Sequence, residues 1–159
     1  MSDGQSTGPR LVADVMLGRL AKWLRLLGYD TRYDHAASDM VLLRIAQAED
    51  RILLTRDRAL VRQRGVRSIW IASQDLPDQI RQVQAEIGPP LDGALTRCAM
   101  CNARLVPVDK REVADRVPPY VYQTQDRFQH CPTCDRIYLA ATHVDRMRQA
   151  MDGWGSAPR

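Results

Sequence analysis

All four cysteines fall into two C-x2-C pairs, Cys98-Ala-Met-Cys101 and Cys131-Pro-Thr-Cys134, with 29 residues between the inner cysteines. Each pair can offer two thiolates to one tetrahedral ion and two pairs complete the shell, so the fold must bring residues 98 and 134 together. The interval is long for such a site, and a hairpin or extra loop has to lie within it. A redox C-x-x-C opens a helix behind a strand in a thioredoxin-like unit, and neither pair has that setting. The expected occupant is one structural Zn2+ held by Cys98, Cys101, Cys131 and Cys134. Four cysteine ligands leave no open coordination position, so any catalytic site lies elsewhere.

Upstream of the cysteines the pattern alternates. Residues 11–13 read as a short strand ending at Asp14, and Leu17, Leu20, Ala21, Leu24 and Leu27 recur at helical spacing up to Gly28, a residue suited to a C-cap. Residues 31–33 form a second candidate strand, and Ser38 can cap a helix reaching about Glu49. A third strand over 52–55, a helix over 58–64, a fourth strand over 68–72 and a helix over 76–87 follow, stopped by Gly88-Pro89-Pro90. Strands alternating with helices specify a parallel sheet covered on both faces. The expected organisation is a loose polar tail over 1–9, an α/β domain over 10–88, and a small zinc-ribbon domain over 91–152 that ends in an amphipathic helix at 143–151.

Composition narrows the partners. The chain has 159 residues, is 45% hydrophobic and carries a formal charge of +4, enough apolar content for a core but no basic or acidic tail. Residues 1–88 hold 13 basic and 11 acidic side chains and residues 89–159 hold 10 and 8, so each part is +2. No 18-residue apolar stretch reads as a membrane span, and no signal peptide opens the chain. The expected setting is cytoplasmic, where cysteines stay reduced and available to metal.

The acids repeat a topological position. Asp14 follows the first strand, Asp39 opens the second helix and Asp57 follows the third strand in the run RILLTRDRAL. Functional groups of an open parallel sheet gather outside the carboxyl ends of its strands. Carboxylates gathered there repel one another by roughly 4 kcal/mol per pair at 4 Å and an effective dielectric of 20, which a cation offsets. Oxygen-only ligation suits Mg2+ or Mn2+, the metals that hydrolyse phosphodiesters. The plainer reading is that Asp39 complements a helix dipole and Asp57 caps the next helix. Opposite the leucine face of the first helix lie Arg19, Lys22 and Arg25, which with Arg56 offer phosphate contacts. The plainer reading of that stripe is a solvated surface. His143 is a further candidate phosphate contact, zinc ligand or helix-start residue.

The run from Asp14 to Asp30, DVMLGRLAKWLRLLGYD, resembles the opening signature of a family of bacterial and archaeal RNases named for the C-terminal domain of the nematode Mut-seven exonuclease. LLTRD at 53–57 resembles its second signature, and RC-x2-CN at 97–102, CP-x2-C at 131–134 and His143 resemble its zinc-ribbon half. The resemblance implies a PIN-like α/β nuclease fold and metal-binding roles for Asp14, Asp39 and Asp57, with Asp30 or Asp75 as a fourth acid. Leu139-Ala140-Ala141-Thr142 stands where the family carries Trp-Gly-Ser before the histidine. The implied function is a Mg2+- or Mn2+-dependent endoribonuclease with RNA as its partner. The alternative is a non-catalytic adaptor that binds RNA or the ribosome through the zinc ribbon. A phosphatase using an aspartyl nucleophile wants a second acid two residues after the first, where this chain has Met16. Nothing in the sequence names the RNA, an antitoxin or a ribosomal partner.

Overall fold

The computed structural model describes residues 8–90, 93–139 and 149. Strands β1 (Arg10–Ala13), β2 (Thr31–Arg32), β3 (Arg51–Thr55) and β4 (Ser68–Trp70) form a parallel sheet in the order β2-β1-β3-β4. Central β3 is buried along its whole length, which is why its middle, Ile52-Leu53-Leu54, is a continuous apolar run rather than an alternating one.

Successive side chains of a strand point to opposite faces, and both faces are covered. On one side Leu11, Ala13, Ile52 and Leu54 pack against Leu20 and Leu24 of α1 (Gly18–Leu27) and Ile80 and Val83 of α4 (Leu76–Ile87). On the other, Val12 and Leu53 pack against Leu42 and Ala46 of α2 (Asp39–Ala48) and Leu60 of α3 (Arg58–Val61). Each fully buried leucine contributes on the order of 2 kcal/mol of transfer free energy.

Some elements differ from the sequence reading. The first helix begins with a 3-10 turn, Val15–Leu17, before α1 proper. α3 stops at Val61 rather than residue 64, because Leu60 is its one buried side chain and Arg62-Gln63-Arg64 has no apolar face to anchor another turn. β4 ends at Trp70 rather than residue 72.

The C-terminal part is a second, antiparallel sheet of β5 (Val106–Val108), β6 (Phe128–His130) and β7 (Ile137–Leu139), in that order. It carries an unanticipated helix, α5 (Pro119–Thr124), which has proline in its first turn and no buried residue. An element that buries nothing leaves no hydrophobic period to read. Apart from residue 149, the terminal helix expected over 143–151, and His143 with it, lie outside the described residues. Among the described residues no helix is long and apolar enough to cross a membrane.

The two sheets are joined through the end of α1. Gly28 closes α1 at φ 110°, and a Cβ there would stand 2.0 Å from the Gly93 carbonyl oxygen. Only glycine meets both demands. The Leu95 amide donates to the Leu26 carbonyl at 2.8 Å. Asn102 accepts from the Thr31 amide at 3.0 Å and donates to Asp30 at 2.7 Å.

Candidate functional site

A parallel sheet has one edge where all its strands end. Asp14 lies one residue beyond β1 and Asp57 two beyond β3. Asp39 opens the helix after β2, and Asp75 precedes α4 after β4. The topology therefore sets these four acids on the same edge. Among the described residues no three carboxylates are gathered closely enough to hold a metal ion as they stand, so the edge is a row of acids and not a closed cage.

Asp14 is the anchored member. It is 3% exposed; Oδ1 accepts from the Val15 amide at 2.6 Å and Oδ2 from the Thr55 hydroxyl at 2.7 Å. The Thr55 oxygen in turn accepts from the Asp57 amide at 3.0 Å. Thr55 thus ties the acid after β1 to the backbone of the acid after β3. The sequence reading gave Thr55 no role, although it sits in LLTRD two residues before Asp57. Asp57 is half-buried and its Oδ1 caps α3 through the Ala59 amide at 2.8 Å, so the capping geometry and the candidate ligand are the same side chain. Asp39 is exposed at the start of α2, where Ser38 makes the cap instead. Asp75 occupies the N-cap position of α4 without a side-chain cap bond. These two carboxylates are not committed to helix ends.

Asp30 is a different case. Register pairs Leu11 with Thr31, so Asp30 lies at the amino end of β2, across the sheet from Asp14. Its side chain accepts from Arg51 at 2.8 Å and from Asn102, and lies 3.6 Å from Arg97. Burial works to raise its pKa, but the hydrogen bonds from Arg51 and Asn102 and the charges of Arg51 and Arg97 outweigh that and hold it below the ordinary carboxylate range. Asp30 is a structural anchor and is removed from the candidates for a fourth acid; Asp75 remains.

The basic residues also separate. Arg19 and Lys22 are exposed and line a cleft described below. Arg25 is 5% exposed, and its guanidinium donates to the carbonyls of Thr31 at 2.8 Å and Ala99 at 3.0 Å. At about 100° per residue, Arg25 lies about 120° round the helix from Arg19, which turns it out of the stripe and towards the first cysteine pair. It is a strut of the join, not a surface phosphate contact. Arg56 donates to the Ile71 carbonyl at 2.9 Å, which holds it against the end of β4. Arg58 stacks over Trp70, 4.3 Å from the ring centre.

The cysteines meet as the spacing requires. The Cys98–Cys101 pair lies in the loop before β5 and the Cys131–Cys134 pair in the turn between β6 and β7, with all four sulfurs within 4.8 Å of one another. A tetrahedral shell with Zn–S near 2.3 Å puts sulfurs about 3.8 Å apart, so the four residues fit one such ion. Tyr138 braces the site: its oxygen lies 3.1 Å from Cys98 Sγ and accepts from the Ala99 amide at 3.1 Å. Burial works to raise the Cys98 thiol, but Tyr138 and the amides of Met100 and Cys101 outweigh it and bring it down to about 7. Desolvation leads in raising Cys101 and Cys131; in Cys134 the hydrogen bond from Cys101 lowers the thiol, and burial with the neighbouring thiols raises it overall. Arg25 faces the cluster, with the charges of Cys101 and Cys98 opposing the effect of its burial. It supplies one positive charge beside what would be a dianionic metal–thiolate centre.

A parallel α/β sheet with acids along its carboxyl edge is joined to an antiparallel sheet whose four cysteines could hold one tetrahedral ion. The family model of the Mut7-C RNAse domain matches residues 9–151, nearly the whole chain, and the chain belongs to that family. Membership supports a ribonuclease-like function. No curated protein and no solved structure gives a significant match to the chain.

Proposed function

We propose that this chain is a Mg2+- or Mn2+-dependent endoribonuclease: a PIN-like catalytic domain over about 10–88 and a zinc-ribbon domain over 91–152, working on RNA in the cytoplasm. The observation that carries the reading is the Asp14–Thr55–Asp57 chain of hydrogen bonds on the carboxyl edge of the sheet. A cap for a 3-10 turn has no need of a buried carboxylate oriented from a second strand. The donor set of Asp14, Asp39, Asp57 and Asp75 is all oxygen and anionic, which fits a hard divalent ion. Bound there, Mg2+ or Mn2+ lowers the pKa of water and neutralises charge developing on the phosphodiester. Thr55 fixes the orientation of Asp14, and Asp57 is held at a set height by its own backbone bond to Thr55. Arg19 and Lys22 hold the RNA backbone beside the edge.

The test is cleavage of a mixed RNA pool by the full chain with Mg2+, with Mn2+ and with neither, zinc being retained throughout. Internal cuts that require the added ion are expected. Equal cutting without added ion removes the carboxylate edge from the reaction, and RNA binding with no cutting under any condition supports the adaptor reading instead.

The cysteine cluster takes one structural Zn2+ on this reading. Purified protein should carry about one zinc per chain by elemental analysis, and Cys134→Ser should lose most of it. Thiolates are the ligands, so metal affinity falls on protonation. With the other three thiols raised and Cys98 brought down to about 7, protons compete for the thiolates throughout the neutral range, so zinc retention against a competing chelator should weaken steadily as pH falls, and further once Cys98 is protonated below about 7. Full occupancy in Cys134→Ser would show that the four-cysteine shell is not the site.

A further inference from the structure

A cleft of about 510 Å3 whose lining spans both parts of the chain lies between the start of α1, the loop after β2 and the first cysteine pair. Its walls are Arg19 and Lys22 from α1, Tyr33, Asp34 and His35 from the loop, and Met100 from between Cys98 and Cys101, with Arg25 in the floor. From the cleft, we infer a binding site for a single unpaired nucleotide of an RNA strand, its phosphate on Arg19 and Lys22 and its base against Tyr33, His35 and Met100. This rests on the ribonuclease reading and narrows its substrate to RNA with unpaired bases.

Four observations support the assignment. The volume falls within the roughly 300–1,000 Å3 range of small-ligand sites. The lining divides by chemistry: two exposed cations come from α1, and an aromatic ring, an imidazole and a thioether come from the other segments. Asp34 is the one acid in the wall, and its Oδ1 already accepts from the Ala36 amide at 2.9 Å. Met100 is 46% exposed although it sits between two cysteines of the metal site, so the cluster presents an apolar side chain outward into the cleft. The Tyr33 hydroxyl donates to the Val15 carbonyl at 2.8 Å, next in sequence to Asp14. Its oxygen would lie 2.9 Å from any Cβ at position 18, and Gly18 leaves room for it. The ring is thereby fastened beside the carboxyl edge, and a nucleotide seated in the cleft is held next to the acids.

The shape argues against a duplex. Side chains reach an A-form helix across its wide, shallow minor groove and through its phosphates, whereas a base enters a concave site only when it is splayed out of the strand. Stacking on aromatic side chains then holds it with little regard to sequence. The cysteine module contributes Met100 directly, which gives it a part in substrate contact besides its part in the fold.

The test is fluorescence anisotropy with the zinc-loaded full chain in the absence of Mg2+ and Mn2+. The probes are a labelled unstructured 12-nucleotide RNA and a blunt duplex of the same sequence. The single strand should bind at least about tenfold more tightly than the duplex. Lys22→Ala should weaken single-strand binding and reduce its salt slope by about 0.7, the value for one phosphate contact on a single strand. Met100→Glu, at an exposed position that leaves the cysteines in place, should weaken binding by about tenfold or more. His35→Ala should weaken it severalfold with the salt slope unchanged. Zinc content and melting temperature, measured on each variant, identify any that has lost its fold.

Equal affinity for duplex and single strand overturns the inference. So does competition by inorganic phosphate as effective as competition by the RNA strand, since the cleft would then be a bare anion patch. Unaltered binding in both Met100→Glu and His35→Ala overturns it as well. These readouts contain no cleavage step. A chain that binds as expected but never cuts RNA disproves the nuclease reading alone, and one that cuts RNA through Asp14 with Met100 and His35 irrelevant disproves the cleft alone.

Discussion

Replacing Asp14 with asparagine should leave the protein folded and stop it cutting RNA. The side chain is buried and makes two hydrogen bonds, to the Val15 amide and the Thr55 hydroxyl. Asparagine keeps the shape, accepts one bond through its oxygen and can donate to the Thr55 oxygen, so the packing survives at a cost of about 1–3 kcal/mol for imperfect pairing. What it loses is charge. Cleavage in Mn2+ should fall by roughly 10²–10³ or more, the scale for removing one preorganised electrostatic contact. The melting-temperature gain that wild type draws from Mn2+ should shrink with it, because a ligand stabilises only through the state that binds it. Asp57→Asn should behave likewise, since asparagine is as good a helix cap as aspartate. Thr55→Val, which breaks the link between the two acids, should cost about 10- to 100-fold in activity, as loss of an outer-shell partner does. Wild-type cleavage rates in Asp14→Asn and Asp57→Asn together would leave these acids as caps and nothing more.

The second large effect is on stability. Asp30→Ala should destabilise the chain by up to roughly 3–5 kcal/mol, because it removes the carboxylate shared by Arg51 and Arg97 from a buried cluster, although Arg51 keeps its ion pair with Glu49. At about 2–4 °C per kcal/mol for a chain of this size, the melting temperature should drop by up to about 6–20 °C. The pH dependence has a definite sign. The folded-state value of Asp30 is held below the ordinary one, so its contribution is fully present above about pH 4 and lost as pH falls through the lowered value. Wild type should therefore lose its advantage over Asp30→Ala in acid. The rival role, a catalytic metal ligand, predicts normal melting and abolished cleavage, and melting curves at two pH values distinguish the two.

Asp30 also shows where the sequence stops speaking. The alternation of strands and helices, the leucine spacing of α1 and the Ser38 cap were all readable, because each depends on neighbours a few residues away. That Asp14, Asp39, Asp57 and Asp75 share an edge follows from chain direction alone, once the sheet is parallel. Asp30 lies between a helix and a strand, just as Asp75 lies between a strand and a helix, but it precedes its strand and falls at the opposite edge. Its partners, Arg51 and Asn102, are 21 and 72 residues away, beyond any local pattern. Arg25 looked like the third member of a stripe at i, i+3, i+6, yet steps of three drift round a helix of 3.6 residues per turn. The Thr55 bond was hidden for a different reason: a hydroxyl at the end of an apolar strand carries no signal until its partner across the sheet is known. α5, which buries nothing, was invisible to periodicity in principle.

The join at the end of α1 bears on the order in which the molecule is assembled. Its contacts connect Arg25 with Ala99, Thr31 with Asn102 and Asp30 with Asn102, separations of 74, 71 and 72 residues. Closing a loop of that length costs roughly 4 kcal/mol from its length dependence alone. During synthesis, residues 10–88 are complete while the segment that carries Met100 and Asn102 is still to come. The sheet and its acids can form first, but one wall of the cleft is then missing. A growing chain beside ribosomal RNA would hold its carboxylates before it could seat a nucleotide against them. Competence would arrive only after the second cysteine pair had been made, captured its ion and docked.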